Sequence, residues 1–261
     1  MSPSPLTRLP GGPLRRNTAQ TSAGLSVPVA STFPFSPMAL RPMAWFDAAD
    51  ASTITSSSGA VSQWDDKSGN GRHVSQGTAA ARPTTGANTQ NGLNVLTFDG
   101  GDRLSLSASA IDSDMTIVSL FKVTTATSFT MPGFSLSSGN QPRPIDRWHA
   151  TFANNIYIAL NAVGVSGNLR GWTSFKSWSC TYQKTTTFGP RWVEYDNNVQ
   201  VSSVTNTGVH DVTDQVLSIG ARIDNGTTLN GQMAELMIFP TVLSSAQRAD
   251  VHRYLVTKWG L

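Results

Sequence analysis

The sequence contains few cysteines and few charged residues. One of its 261 residues is a cysteine, Cys180, so no disulfide can form within the chain and no multi-cysteine metal site exists. Only 13% of the residues are charged, whereas 39% are hydrophobic. This composition excludes a coiled coil and a chain disordered throughout. The length allows one large β domain or two small ones with a packed core.

Long apolar runs are absent as well. No run in the sequence approaches the roughly 18 to 20 residues needed to span a bilayer. The N-terminus lacks a charged segment followed by an apolar stretch, which is the pattern of a secretory signal peptide. We therefore expect no membrane insertion and no export by a signal peptide.

The excess of positive charge is small. Lysine and arginine total 19 against 16 aspartates and glutamates, a formal net charge of +3. The only tight basic pair is Arg15-Arg16, whereas nucleic-acid binders usually cluster their cations into a stripe. The charge pattern therefore predicts no nucleic-acid partner.

Residues 1–40 differ in composition from the rest of the chain. They hold seven of the 14 prolines, among serine, threonine, glycine and isolated apolar residues. Proline lacks the N–H that a sheet needs and fixes φ near the polyproline value, so this segment should run as an extended arm. Such an arm can lie along a partner and insert apolar side chains at low entropic cost; the alternative is a flexible leader. The candidate anchor residues are Leu6, Leu9, Leu14, Arg15, Arg16, Phe33 and Phe35.

From residue 41 onwards the sequence changes to short β-type runs separated by turn clusters. Residues 115–123 are apolar on both alternating faces, as expected for a central strand covered by a second sheet. Asn197-Asn198 predicts a two-residue hairpin turn, because asparagine tolerates left-handed backbone. The other predicted strands are residues 44–46, 61–64, 93–98, 156–160, 191–196, 199–204, 216–219 and 233–239.

One helix is predicted at the C-terminus. Ser244 and Gln247 form a capping box, and a single apolar stripe at a spacing of four ends at Gly260. About a dozen short strands with one terminal helix indicate an all-β fold, an antiparallel jelly-roll β-sandwich formed by residues 41–261.

Three segments carry a resemblance to a known family. The first runs from WFDAAD (residues 45–50) into VSQWDDKSGNGRH (residues 61–73), which contains a D-x-S-G-N-G turn. The second is the hairpin WVEYDNNV (residues 192–199), and the third comprises LSIG (residues 217–220), LNGQMAELMIF (residues 229–239) and a helix start at Leu243-Ser244. In this order they resemble the laminin-G-like branch of the concanavalin A-like lectin/glucanase superfamily. The resemblance implies a concanavalin A-like sandwich, a fold that carries lectins, glycosidases, adhesion modules and virion parts.

An enzyme of this superfamily would need two carboxylates flanking a glycosidic bond. The two glutamates, Glu194 and Glu235, fall on different predicted strands and lack the E-x-D-x-x-E spacing of the family's glucanases. The neighbours Asp65 and Asp66 share a turn and should point in different directions. No G-x-S-x-G elbow accompanies the four histidines. We therefore expect no enzymatic activity, with a glycoside hydrolase or lyase as the weaker alternative.

A calcium ion is the one cofactor that the resemblance implies. Asp66 and Asn70 place hard oxygen atoms on one tight turn, as calcium prefers. The alternative is an Asx turn in which Asp66 accepts bonds from its own loop amides. The turn explains every residue without a metal, so we expect no cofactor.

Carbohydrate binding needs aromatic platforms that stack on the apolar faces of sugar rings. Trp148, Trp172, Trp178 and Tyr182 fall where the strand periodicity is least regular, and they are the candidates for glycan contact. The alternative for each is burial in the core, since tryptophan is usually buried.

A laminin-G-like sandwich with a proline-rich leader and no export signal resembles phage-type virion proteins, which implies a non-enzymatic structural and adhesion protein of a phage or phage-like particle. The arm would anchor on a capsid, tail or other virion protein, with a homo-oligomer allowed, and the sandwich would contact a host surface polysaccharide. The chain would then be located in the virion after assembly in the host cytoplasm. The alternative is a cellular carbohydrate-binding lectin with a disordered leader.

Overall fold

The computed structural model describes residues 35–109, 114–124, 134–137, 147–148, 155–160, 163–168, 173–183, 192–204, 215–221 and 228–261. These ranges contain seventeen strands and one α-helix, α1, at Ser245–Trp259. The strands in chain order, β1 to β17, are Ala44–Asp47, Ile54–Ser57, Ala60–Trp64, Val74–Ser75, Thr84–Gln90, Leu93–Asp99, Leu104–Ser109, Met115–Val123, Phe134–Ser137, Arg147–Trp148, Asn155–Leu160, Val163–Asn168, Lys176–Tyr182, Trp192–Asp196, Val199–Val204, Gln215–Ile219 and Asn230–Phe239.

The strands are antiparallel, and fourteen of them form one hydrogen-bonded sheet. Its order is β15-β14-β13-β8-β17-β6-β5-β3-β4-β7-β16-β9, with β1 joined to β17 and β2 to β3. The strands β10, β11 and β12 form a separate sheet. One edge of β17 pairs with β8, and its other edge pairs first with β6 and then with β1. The last strand therefore lies at the centre of the sheet.

Two hydrophobic clusters lie on opposite faces of β8. Ile117 and Phe121 belong to the cluster that the sheet encloses, together with Trp64 and Leu104 from the other part of the sheet. Val118 and Leu120 belong to a second cluster. The helix α1 covers this second cluster with Val251, Leu255 and Trp259. The prediction of an all-β sandwich with one C-terminal helix is confirmed, but the second cover of β8 is the helix and not a sheet.

The predicted hairpin and helix are both present. Asn197 and Asn198 have φ values of 47° and 63°, and they join β14 to β15. The Ser244 hydroxyl accepts a hydrogen bond from the Gln247 amide, and the Gln247 side chain accepts one from the Ser244 amide. Gly260 ends the helix in the left-handed conformation, at φ 65°. Asparagine and glycine tolerate this region best.

A bulge in β17 turns two successive residues towards the helix. The register with β8 shifts between Met233 and Glu235, so Ala234 is the extra residue. Ala234 packs in the cluster under α1, and Glu235 bonds to side chains of the helix. Bulges of this kind redirect a side chain that strict alternation would send to the other face.

The segment before β1 packs on the sandwich. Residues Pro37–Leu40 form a 3-10 turn, and Phe35 and Leu40 pack against the cluster under α1. The ring of Phe35 meets that of Tyr254 edge-on, with the centroids 6.5 Å apart. Phe35 was expected to anchor the arm on a partner protein. The structure corrects this expectation, because Phe35 packs on its own chain. The other anchor candidates lie outside the described residues.

Candidate functional site

An open groove of about 670 Å³ lies beside the C-terminal half of α1. His252, Val256 and Gly260 line its helix side and recur at a spacing of four, which places them on one face of the helix. Leu261 extends this wall, and its side chain is 40% exposed. The helix therefore lines the groove with polar and apolar residues, on a face next to the apolar stripe that packs on the sheet.

The opposite wall combines cationic, amide and aromatic groups. Lys176 is the first residue of β13, and Phe175 precedes it. Asn197 belongs to the β14–β15 turn and Lys122 to β8. The Lys122 ammonium lies 5.1 Å from the centroid of the Phe175 ring, within the range of a cation–π contact. Such a wall offers hydrogen-bond donors around a small apolar surface.

Hydrogen bonds fix the ends of the groove. The Gln90 Nε2 donates to the Trp259 carbonyl at 2.8 Å, and the Asn91 Nδ2 donates to the Lys258 carbonyl at 3.0 Å. These bonds satisfy carbonyls that the end of a helix leaves without an intrahelical partner. The Asn197 amide donates to the Ser177 carbonyl at 2.8 Å, which holds the hairpin turn against β13. The site is therefore built on regular elements and tight turns.

Burial shifts the titration of two groups near the groove. It lowers the pKa of His252, against the opposing effect of the Asp196 carboxylate. It also raises the pKa of Asp196, against the attraction of Lys176 and His252. The His252 Nδ1 and the Asp196 Oδ1 are buried, and neither has a hydrogen-bond partner among the described residues. The imidazole is therefore neutral at pH 7, with one donor and one acceptor nitrogen.

A second cavity of about 430 Å³ lies beside the D-x-S-G-N-G turn. Arg41 and Arg72 line it together with Ser68 and Asn70. Arg41 has a φ of 50°, and its amide donates to the Met38 carbonyl at 3.0 Å. Two guanidinium groups beside Ser68 and Asn70 oppose the binding of a cation.

The calcium candidates are engaged by the protein. The Asp66 Oδ1 accepts hydrogen bonds from the amides of Trp45 and Ser68, and the Oδ2 accepts them from the Arg72 amide and the Ser68 hydroxyl. The Asn70 side chain donates to the carbonyls of Pro42 and Met43. This geometry is that of the Asx-turn alternative. In the described ranges no three His, Cys, Asp or Glu side chains form a group that could hold a metal ion.

Of the four candidates for glycan contact, two are in the core. Trp178 is 1% exposed and Tyr182 is fully buried, both in the cluster that the sheet encloses. Neither can stack on a sugar, so the expectation is wrong for these two residues, because β13 turns them inwards. Trp148 belongs to β10, but its side chain, like the whole of Trp172, lies outside the described residues.

None of the residues that line the groove was among the candidates predicted from the sequence. Lys122, Lys176 and Asn197 are far apart in sequence, and no local motif joins them. The signal that was available is the second stripe of the helix, in which His252, Val256 and Gly260 follow a spacing of four beside the core stripe.

The two glutamates are buried on opposite faces of the sheet. Glu194 lies opposite Cys180 of β13, which belongs to the enclosed cluster. Glu235 faces α1 and accepts hydrogen bonds from the indoles of Trp45 and Trp259, from the Tyr254 hydroxyl and from the Lys258 ammonium. Both side chains have no exposed area. They do not flank a common groove.

Several solved structures share the fold at low sequence identity. Domain 4 of AbnA, an extracellular GH43 arabinanase from Geobacillus stearothermophilus solved with arabinotriose, has a TM-score of 0.55 and 14% identity over 81% of this chain and 98% of that one. A Trypanosoma rangeli sialidase has a TM-score of 0.58 and 9% identity over 83% of this chain and 33% of the sialidase chain. The binding domain of botulinum neurotoxin serotype D/C has a TM-score of 0.51 and 12% identity over 84% of this chain and 53% of that one.

These likenesses support the fold, a β-sandwich. The matched region spans about a third of the sialidase chain and about half of the toxin chain. No protein-family model matches the sequence, and no curated protein matches it. Among the described residues, no helix is both long enough and apolar enough to cross a membrane.

Proposed function

We propose that this protein is a non-enzymatic glycan-binding protein and that the groove beside α1 is its sugar site. The observation that carries the proposal is the groove itself, a pre-formed volume of about 670 Å³ lined by amide, ammonium and imidazole groups around Phe175. Ligand sites are concave and combine apolar surface with a few placed polar groups. Sugar hydroxyls both donate and accept hydrogen bonds, and these side chains offer both kinds of partner.

The structural neighbours are consistent with this proposal. The arabinanase domain of the same fold was solved with arabinotriose, and the toxin domain is a binding domain. The burial of Glu194 and Glu235 supports binding without hydrolysis, because a glycosidase needs two carboxyl groups that face one substrate.

The test is direct binding of oligosaccharides to the full chain by isothermal titration calorimetry, after a glycan-array screen. Ser174 is exposed at the groove, so Ser174→Trp should fill it and abolish binding. Ser56→Trp, at an exposed position of β2 that does not line the groove, is the matched control and should bind as the wild type does. If both variants bind the glycan equally well, the groove is not the site.

We further propose that the protein is displayed by a phage or phage-like particle, on which the proline-rich segment before the sandwich is the anchor. The composition of residues 1–34 supports this, together with the packing of Phe35, which marks where the sandwich begins. Limited proteolysis with mass spectrometry tests the anchor on the chain alone and in its particle. Protection of the segment only in the particle is expected. Cleavage in both states would instead favour a cellular lectin with a disordered leader.

A further inference from the structure

The four described lysines fall into two kinds. Lys67 and Lys258 form ion pairs with Asp47 at 2.8 and 2.6 Å, and each has a second carboxylate partner. Lys122 and Lys176 line the groove, are partly buried and form no ion pair with any described residue. A partly buried ammonium group without a counter-ion loses hydration that no protein charge replaces. Among the described lysines, Lys122 and Lys176 are therefore the two without an ion-pair partner.

Two further titratable groups, Asp196 and His252, lie near these lysines. The Asp196 carboxyl group interacts electrostatically with Lys176 and His252, and burial raises its pKa. His252 is neutral at pH 7, as shown above. Two ammonium groups that form no ion pair with a described residue thus line the same groove.

The neutral groups of the groove have spare capacity for hydroxyls. Gln90 donates through Nε2 to the helix, which leaves its Oε1 as an acceptor. Asn197 accepts at Oδ1 from the Ser177 amide at 3.3 Å, which leaves its Nδ2 as a donor. A ligand that matches this wall carries hydroxyl groups and a negative charge together.

We infer that the groove takes an acidic saccharide, with Lys122 and Lys176 holding its carboxylate or sulfate and Gln90 and Asn197 bonding its hydroxyls. This inference rests on the proposed glycan-binding function and narrows it to one ligand class. Charge-assisted hydrogen bonds from ammonium to carboxylate are about twice as strong as neutral ones. The acidic group therefore orients the sugar, and the side-chain amides of Gln90 and Asn197 form hydrogen bonds with the neighbouring hydroxyls.

The experiment compares matched acidic and neutral saccharides on the full chain by calorimetry. The probes are trigalacturonic acid with its methyl ester, sialyllactose with lactose, and a sulfated with an unsulfated galactose disaccharide. Each acidic member should bind more tightly than its neutral partner if its ring fits, and the pair that shows the effect identifies the source of the charge. Raising the salt concentration should weaken the acidic member alone, because salt screens exposed charges.

Variants separate charge from shape. Lys122→Gln and Lys176→Gln should each weaken the acidic probe by about tenfold, whereas Lys→Arg at the same positions should retain binding. Arg253→Gln removes a charge from an exposed helix position outside the groove and should leave binding unchanged. Circular dichroism melting checks that every variant is folded.

Two results would overturn the inference. Equal binding of acidic and neutral members, unchanged in the lysine variants, would remove the acidic specificity but leave the glycan-binding function standing. Binding of none of these probes together with no hit on a glycan array would reject both.

Discussion

The two glutamates show how differently the same side chain behaves in two buried environments. Glu235 accepts hydrogen bonds from four donors. Burial and Asp47 raise its pKa, and Lys258, Trp259 and Trp45 oppose this rise. Glu194 has the Trp178 indole at 3.3 Å, and its Oε2 has no partner among the described residues. Burial raises the pKa of Glu194 to about 8. The Glu194 carboxyl group is therefore mostly protonated at neutral pH, and the folded state is more stable with this group neutral than charged.

Replacing Glu194 by glutamine should flatten the pH dependence of stability. Its pKa is about 8 when folded and 4.5 when unfolded, so the folded state holds the extra proton between these values. The free energy of unfolding of the wild type therefore falls as the pH rises from about 5 to about 8, by roughly 3 to 5 kcal/mol from this group. Urea unfolding at pH 5 and pH 8 measures this fall, with Asp250→Asn at a partly exposed position as control. Parallel profiles for wild type and Glu194→Gln would contradict the prediction.

Asp66 should act as a turn residue that responds to substitution and not to calcium. Asp66→Ala leaves three backbone amides and the Ser68 hydroxyl without their acceptor, which should lower the free energy of unfolding by about 2 to 4 kcal/mol. Calcium at roughly 1 mM, the range of weak extracellular sites, should leave the wild-type Tm unchanged. A calcium-dependent rise in Tm that Asp66→Ala abolishes would identify a metal site instead.

At the scale of elements, α1 is held to the sheet by the polar network around Glu235 as well as by its apolar stripe. Lys258 and Trp259 of the helix bond the carboxylate that the β17 bulge turns towards them. The helix also covers the outer face of β8 through Val251 and Leu255. The loss of this docking would expose the second cluster.

Glu235→Ala should destabilise the protein by about 3 to 5 kcal/mol, because it leaves the Lys258 ammonium and two indole N–H groups without their acceptor. The Arg253–Asp250 pair on the exposed side of the same helix is the comparison. Arg253→Ala should cost less than about 1 kcal/mol. Equal midpoints for the two variants in urea unfolding would show that the buried network does not hold the helix.

Local signals made the elements predictable, whereas the site depends on tertiary geometry. The capping box at Ser244 and the Asn197-Asn198 turn are each set by neighbours in sequence, and both were correct. The inward direction of Trp178 depends on the register of β13 with β8, which no local pattern shows. The groove likewise joins residues more than a hundred positions apart, such as Lys122 and His252.

At the scale of the whole molecule, the start of the sandwich can be located by truncation. Deletion of residues 1–34 should leave the Tm within a few degrees of the wild type, because the described core begins at Phe35. Deletion of residues 1–40 also removes Phe35 and Leu40 from the cluster under α1, which should lower stability by about 2 to 4 kcal/mol. Differential scanning calorimetry compares the two. If both deletions melt alike, the segment 35–40 contributes nothing to the fold.

The central position of β17 has a consequence for how the chain is made. On the ribosome, β8, β6 and β1 leave the exit tunnel long before residues 230–239, which pair with all three. Until then their apolar faces and open edges are exposed, as in other folds with many long-range contacts. Folding of the sandwich must therefore wait until residues 230–239 have been made, and termination before them would release a chain prone to aggregate.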